Sequence, residues 1–226
     1  MSVKEFAPQS PATVSRRRPL RNNVGAAVLM VLLSLPLPRW LVPGESVSAQ
    51  AWRELAFWGL LLVLVAYILL FERRPLSSIG LKRPNWKTLV FGALGAMVMV
   101  GGMAFIYMVI YPALGLSASE PGTAAVAALP FWLRVLIVVR AAVFEEMYFR
   151  GFAIERLTDI LGTRRGSAAI TLVAFTAEHL SYWGRAHLMI AGFGGAVLTG
   201  LYLWRRDLGA NIVAHLLTDG IGFLLG

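Results

Sequence analysis

The chain has no cysteine among its 226 residues, which excludes disulfides, thiolate nucleophiles and thiolate metal ligands, and leaves the redox compartment unreadable. Histidine is nearly as scarce, with three in all, and charged residues make up only 15%. No internal repeat and no low-complexity tract is visible. What fills the chain instead is apolar: 58% of it is hydrophobic, which fits a polytopic membrane protein and not a soluble core. The formal charge of +9 would suit a nucleic-acid partner only if the basic residues shared one solvated face. They lie between apolar runs instead, so they are read as orientation signals and nucleic acid is set aside.

Residues 1–23 are polar, with Pro8, Pro11 and Pro19 among Lys4, Arg16, Arg17, Arg18 and Arg21, and read as a disordered cytoplasmic tail. A cleaved signal peptide is the minor alternative, because a basic region precedes an apolar stretch with small residues after it. Apolar runs follow at 24–42, broken by Pro36 and Pro38, then at 55–71, 88–114, 123–149, 167–180, 187–204 and 208–225. The predicted architecture is all-α, a bundle of about seven transmembrane helices (six to eight), with helices 1–3 in residues 24–122 and the remaining helices in 123–226. The glycines of 92–102 suit close helix packing. Residues 153–166 read as a short polar connection able to form an amphipathic helix lying at the membrane surface. With the N-terminus inside, 16 Lys and Arg fall on the cytoplasmic side against Arg39, Arg53 and Arg185 outside, an asymmetry that supports the orientation and turns the Glu145 end of its span toward the cytoplasm. The outer half reads as almost wholly apolar.

Polar residues inside apolar helices are costly to bury and are functional candidates for that reason. Glu145 and Glu146 end the 123–149 run. On a helix, Glu146 and Arg150 share a face and can pair, while Glu145 points about 100° away and is free for chemistry. The plainer reading is an interfacial charge cluster capping a span. Asn211, His215 and Asp219 recur every four residues, a single polar stripe that must face protein or a water-filled cavity, or else simply bond a neighbouring helix. Phe175 and His179 form a third pair. Two acids and two histidines on three helices meet the needs of water activation, namely a base, an orienting group and donors for an oxyanion. HExxH is absent, but His179 and His215 with a glutamate would make a two-histidine, one-carboxylate zinc site as the alternative. Arg140 stands apart from these clusters and is expected to meet a carboxylate or a carbonyl on another helix, in a structural role; His187 is read as interfacial.

The order EExxxR (Glu145, Glu146, Arg150), FxxxH (Phe175, His179) and HxxxD (His215, Asp219) resembles the intramembrane proteases of the Abi or CPBP group, which include the type II CAAX prenyl endopeptidases. The resemblance covers roughly residues 123–226, and the stretch SIGLKRP before the third span is similar to the family's lead-in. It implies a helix bundle around a cavity open to the cytoplasm and peptide-bond hydrolysis by glutamate-activated water, without a cofactor. Carried over, Glu145 is the general base and His179 its partner in holding the water. Glu146 and Arg150 support the site, and His215 and Asp219 occupy the oxyanion-stabilising positions. Asp219 stands where asparagine is common, and an ionised carboxylate would repel an oxyanion, so it is expected either protonated or orienting His215. The implied partners are a peptide or protein substrate, lipidated in some members, and the bilayer, in a bacterial cell membrane. The competing readings are a transporter or proton relay, which should offer polar groups toward both faces, and a family member retained as a binding scaffold.

Overall fold

The computed structural model describes residues 20–117 and 121–225, and all regular structure among them is helical. The polar tail expected over 1–23 falls mostly outside the described residues. Helix α1 (Leu20–Leu33) stops just before Pro36, and α2 (Leu37–Leu41) restarts beyond it; the break follows because proline lacks an N–H and clashes with the preceding turn. Helix α3 (Val47–Ala66) opens on Ser46, whose hydroxyl accepts from the Ala49 amide at 3.1 Å, and it runs on through a π-helical turn at Tyr67–Phe71. The second span therefore starts at Val47 and not at Leu55. Hydropathy ends the run early because it scores Arg53 and Glu54 as exposed charges, yet both are buried and bonded within the protein.

A 3₁₀ turn at Leu76–Ile79 closes on Gly80 at φ 82, a left-handed conformation that glycine adopts without strain. Helix α4 (Trp86–Phe105) begins with a capping box: Asn85 accepts from the Lys87 amide at 2.9 Å and Thr88 from the Asn85 amide at 3.2 Å. It continues through Ile106–Ile110 into α5 (Tyr111–Ala113). The run expected over 123–149 is two helices, α6 (Pro121–Ala127) and α7 (Phe131–Glu145), separated at Pro130. Helix α7 does not end near Phe149. It widens into a π-helical stretch, Glu146–Ala153, and runs on as α8 (Ile154–Leu161) to Gly162. The connection expected as an amphipathic surface helix is helical, but it continues α7 and has Glu155 and Arg156 buried. Then come α9 (Arg164–Glu178), α10 (Leu180–Trp183), α11 (His187–Arg205) and α12 (Leu208–Gly220), the last extended by a π-helical turn at Ile221–Leu225.

Among the described residues, four helices are long and apolar enough to cross a membrane: Val47–Phe71, Trp86–Ala113, His187–Arg205 and Leu208–Leu225. Helices α4 and α12 pack closely, since a Cβ at Gly92 would lie 2.6 Å from Val213 and one at Gly95 3.1 Å from Ala214. Small residues here allow the backbones to approach, as their spacing suggests.

The two ends of the bundle differ. At one end Arg156 clasps Glu72 at 2.6–2.9 Å and also meets Ser78. Beside it Glu155 holds Arg164, Arg206 and the Tyr202 hydroxyl at 2.7–2.9 Å. Asp207 caps α12 and accepts from Thr88 at 2.8 Å. The basic connections 73–87, 156–165 and 205–206 all belong to this end. At the other end α2, the start of α3, α6, α10, the start of α11 and the tail of α12 surround a cavity.

Candidate active site

The cavity has a volume of about 720 Å³ and is lined by parts of every long helix. Its lining includes the exposed or half-buried Arg39, Gln50, Thr123, Tyr182 and Phe223, which mark the mouth, and the buried Phe149, Gly195, Leu198 and His215, which mark the floor. Glu145, His179 and Asp219 stand in its wall.

Glu146 lies under the floor with no exposed surface, and the π-helical stretch that begins with it is buried throughout. Wide turns of this kind are frequent at functional sites. Its carboxylate is held by three side chains: Arg150 at 2.8 Å from the same helix, and His215 Nδ1 at 2.9 Å and Asn211 Nδ2 at 3.1 Å from α12. Arg150 also donates to the Gly195 carbonyl at 3.2 Å and stacks over Phe175 at 4.1 Å. Asn211 donates in addition to the Leu198 carbonyl at 2.7 Å. A buried carboxylate is tolerable only with this degree of satisfaction. The four-residue pairing of Glu146 with Arg150 is as the spacing suggests, and the asparagine–histidine stripe of α12 faces this carboxylate.

Glu145 is differently placed. Its side chain keeps 19% of its surface, and the contact recorded for it is Arg140 Nη1 at 3.3 Å. Arg140 is committed elsewhere, donating to both oxygens of Glu54 at 2.8 and 3.2 Å. Glu54 itself has no exposed surface. As expected, Arg140 meets a carboxylate on another helix, but it reaches Glu145 as well.

The imidazole of His179 is oriented by its own helix: Nδ1 lies 2.8 Å from the Phe175 carbonyl. A carbonyl only accepts, so Nδ1 carries the proton and Nε2 keeps its lone pair. Phe175 packs at a tilt against the same ring, with centroids 4.6 Å apart, and its own place is fixed by Phe149 at 5.1 Å and by the guanidinium of Arg150. His187 was read as interfacial from the sequence. It is buried, stacked at 5.8 Å on His179 and at 4.7 Å on Trp183, and it lines the cavity.

Both nitrogens of His215 face carboxylates, Nδ1 toward Glu146 and Nε2 toward Asp219 Oδ2 at 3.3 Å. Of the two options for Asp219, the one in which it orients His215 matches this contact. With both nitrogens meeting carboxylates, His215 would have to give up its Asp219 contact to ligate zinc beside His179. No group of three or more His, Asp or Glu among the described residues is arranged to hold a metal.

Sequence reasoning missed Glu54, Glu178 and the lining role of His187. A signal for Glu54 was present: a lone glutamate and a lone arginine, Arg140, each inside an apolar helix, need partners and can serve each other. Gln50, Arg53 and Glu54 also give the supposedly apolar outer half a polar wall.

No curated protein and no solved structure was found to match the chain. Residues 127–221 match the family described as Rce1-like, type II CAAX prenyl endopeptidase. That stretch holds Glu145, Glu146, Arg150, Phe175, His179, Asn211, His215 and Asp219, so the motif-bearing part of the chain is similar to that family of CAAX proteases, and with its long apolar helices the chain is an integral membrane protein.

Proposed function

We propose that the chain is an intramembrane endopeptidase that hydrolyses a peptide bond with a water activated by Glu145. The observation that carries this reading is the unequal treatment of two adjacent carboxylates. Glu146 is saturated by Arg150, His215 and Asn211, whereas Glu145 stands in the cavity wall with a single long contact. Environment divides such a pair into a structural anion and a working base.

In this reading a water sits between the Glu145 carboxylate and Nε2 of His179. Glu145 takes a proton as the water oxygen bonds to the carbonyl carbon and the C=O electron pair moves onto oxygen. His215, anchored from below by Glu146, turns its Nε2–H from Asp219 to that oxyanion. On collapse the C–N bond breaks, and Glu145 returns the proton to the leaving nitrogen. Arg150 and Phe175 hold the two histidines in register. The substrate is a peptide or protein, and the aromatic wall of Phe57, Phe144, Phe149 and Phe175 also suits a lipidated one.

The polar wall from Arg53 through Glu54 to Glu145 would equally serve a proton relay. Below Arg150, however, Phe152, Ile154 and Leu208 are fully buried, an apolar plug between the cavity floor and the Glu155 cluster, and this favours the protease. The test is cleavage of quenched, membrane-tethered peptides by purified protein, comparing wild type with Glu145→Gln, each with and without a chelator. Cleavage that needs Glu145 and survives chelation is the expected result. Loss on chelation with recovery on zinc refutes the glutamate mechanism, and absence of cleavage refutes the protease reading.

A further inference from the structure

We infer that the cavity opens on the side of the membrane away from the cytoplasm, so that the segment to be cut is presented from the extracytoplasmic face. The juxtaposition behind this is simple: the cavity mouth and the basic connections are at opposite ends of the same bundle.

Each long helix gives the same answer. Helix α3 brings its first residues, Gln50 and Arg53, to the cavity, and its far end leads into Glu72 and Arg73. Helix α4 starts beside Lys87 at the basic end and reaches the cavity through Tyr107, near its own far end. Helix α9 starts at Arg164 and delivers Glu178 and His179. Helix α11 runs back from His187 at the cavity to Arg205, and α12 runs from Leu208 to Asp219 and Phe223. Cross-links confirm the sorting. Tyr111 Oη donates to the Ala186 carbonyl at 2.7 Å and Arg39 lies over Tyr182 at the mouth, while the Leu208 amide donates to Gly80 at 2.9 Å at the basic end.

Lys and Arg near the ends of spans set orientation by count, not by net charge. The pairing of Arg156 with Glu72 and of Arg164 and Arg206 with Glu155 therefore does not remove them from the balance. The connections at the basic end carry Arg73, Arg74, Lys82, Arg83, Lys87, Arg156, Arg164, Arg165, Arg205 and Arg206, against Arg39, Arg53, Arg134 and Arg185 at the mouth end. The basic end stays in the cytoplasm.

The family resemblance implies a cytoplasmic cavity, and the charge count supports that only while Glu145 is placed near the end of its span. In the structure α7 continues through the π-helical stretch and α8 to Leu161. Glu145 is therefore about 24 Å of helix short of that end, at roughly 1.5 Å per residue, and its side chain opens the other way. The direction of the mouth stands without any assumption about chemistry, while the statement about the substrate rests on the protease reading.

The absence of cysteine makes the test clean. Single cysteines are introduced at exposed positions away from the catalytic groups, Ser48→Cys and Ser117→Cys at the mouth end, Ser77→Cys and Pro84→Cys at the basic end. The full chain is expressed in bacterial cells and exposed to a membrane-impermeant maleimide before and after permeabilisation, with labelling in detergent as the reference for each variant. The expected result is that the mouth-end pair labels in intact cells to about the detergent level, and that the basic-end pair labels at least about tenfold more after permeabilisation. The reverse pattern, or equal labelling of both ends in intact cells, overturns the inference. A second arm supplies a quenched peptide anchored in the outer leaflet. Cleavage by intact cells that disappears in Glu145→Gln supports presentation from outside. Cleavage confined to inverted vesicles overturns it. No cleavage in either, with mouth-end labelling intact, removes the protease reading and the substrate statement built on it and leaves the orientation standing.

Discussion

Replacing Arg140 by leucine removes the partner of a carboxylate that has no contact with solvent. Glu54 receives two hydrogen bonds from Arg140, at 2.8 and 3.2 Å, and a third at 3.1 Å from Gln50. With the arginine gone, one amide donor remains for a buried charge. Breaking a buried ion pair from one side costs about 3–5 kcal/mol, whereas replacing both members by apolar residues of similar volume is often neutral or stabilising. For a chain of this length each kcal/mol moves the melting temperature by roughly 2–4 °C, so Arg140→Leu should melt roughly 10 °C below wild type. The double variant Arg140→Leu/Glu54→Leu should return to within about 1 kcal/mol of wild type by the same rule. Tryptophan fluorescence during heating in detergent reads both, since the chain has seven tryptophans. A double variant as unstable as the single one would refute the argument from an unpaired buried charge. Stability of Arg140→Leu equal to wild type, with cleavage lost, would move Arg140 from holding the fold to acting on Glu145 at 3.3 Å.

Glu145→Gln should lower cleavage by about 10²–10⁴-fold, the range for loss of a positioned base, with an unchanged melting temperature. Glu146→Gln should instead destabilise the protein by about 3–5 kcal/mol, because it leaves the buried Arg150 without its counter-ion, and heating in detergent separates the two glutamates. At Asp219, asparagine keeps an oxygen for His215 Nε2 and should retain most activity, while Asp219→Ala should lose about tenfold or more; abolition by asparagine with retention by alanine would overturn the orienting role. Gly92→Leu should separate α4 from α12, at a cost of about 1–3 kcal/mol for overpacking, since even a Cβ there would sit 2.6 Å from Val213; thermal melting with normal expression checks it.

The parts of the site legible in the sequence are those that one helix supplies alone. Glu146 with Arg150, Phe175 with His179 and His215 with Asp219 are each four residues apart, and helical periodicity brings such residues to one face whatever surrounds them. Contacts between helices were not legible. The spacing says that Asn211 and His215 share a stripe but not that the stripe faces Glu146, and nothing local joins Arg140 to Glu54. Span boundaries failed for a related reason. Hydropathy counts Arg53, Glu54, Glu155 and Arg156 as solvated, although partners elsewhere in the fold allow their burial. The early end given to α7 then misplaced Glu145 in depth. The all-helical fold and the proline breaks were readable because they depend on composition and on the missing proline N–H.

The Glu54–Arg140 pair reaches across the boundary at which the family resemblance begins. Residues 127–221 hold every motif residue, but the arginine one turn before the motif is neutralised from α3, and Phe57 on that same helix lies against Arg140 at 4.4 Å and against Phe144 at 5.6 Å. The stretch that carries the motifs therefore relies on α3 for the partner of Arg140. Transplanted without its first helices, it would expose an unmatched cation and one open flank of the chamber to lipid. A fragment or chimaera would keep the motifs and lose the enclosure, so a replacement for the N-terminal half must bring a carboxylate at the depth of Glu54.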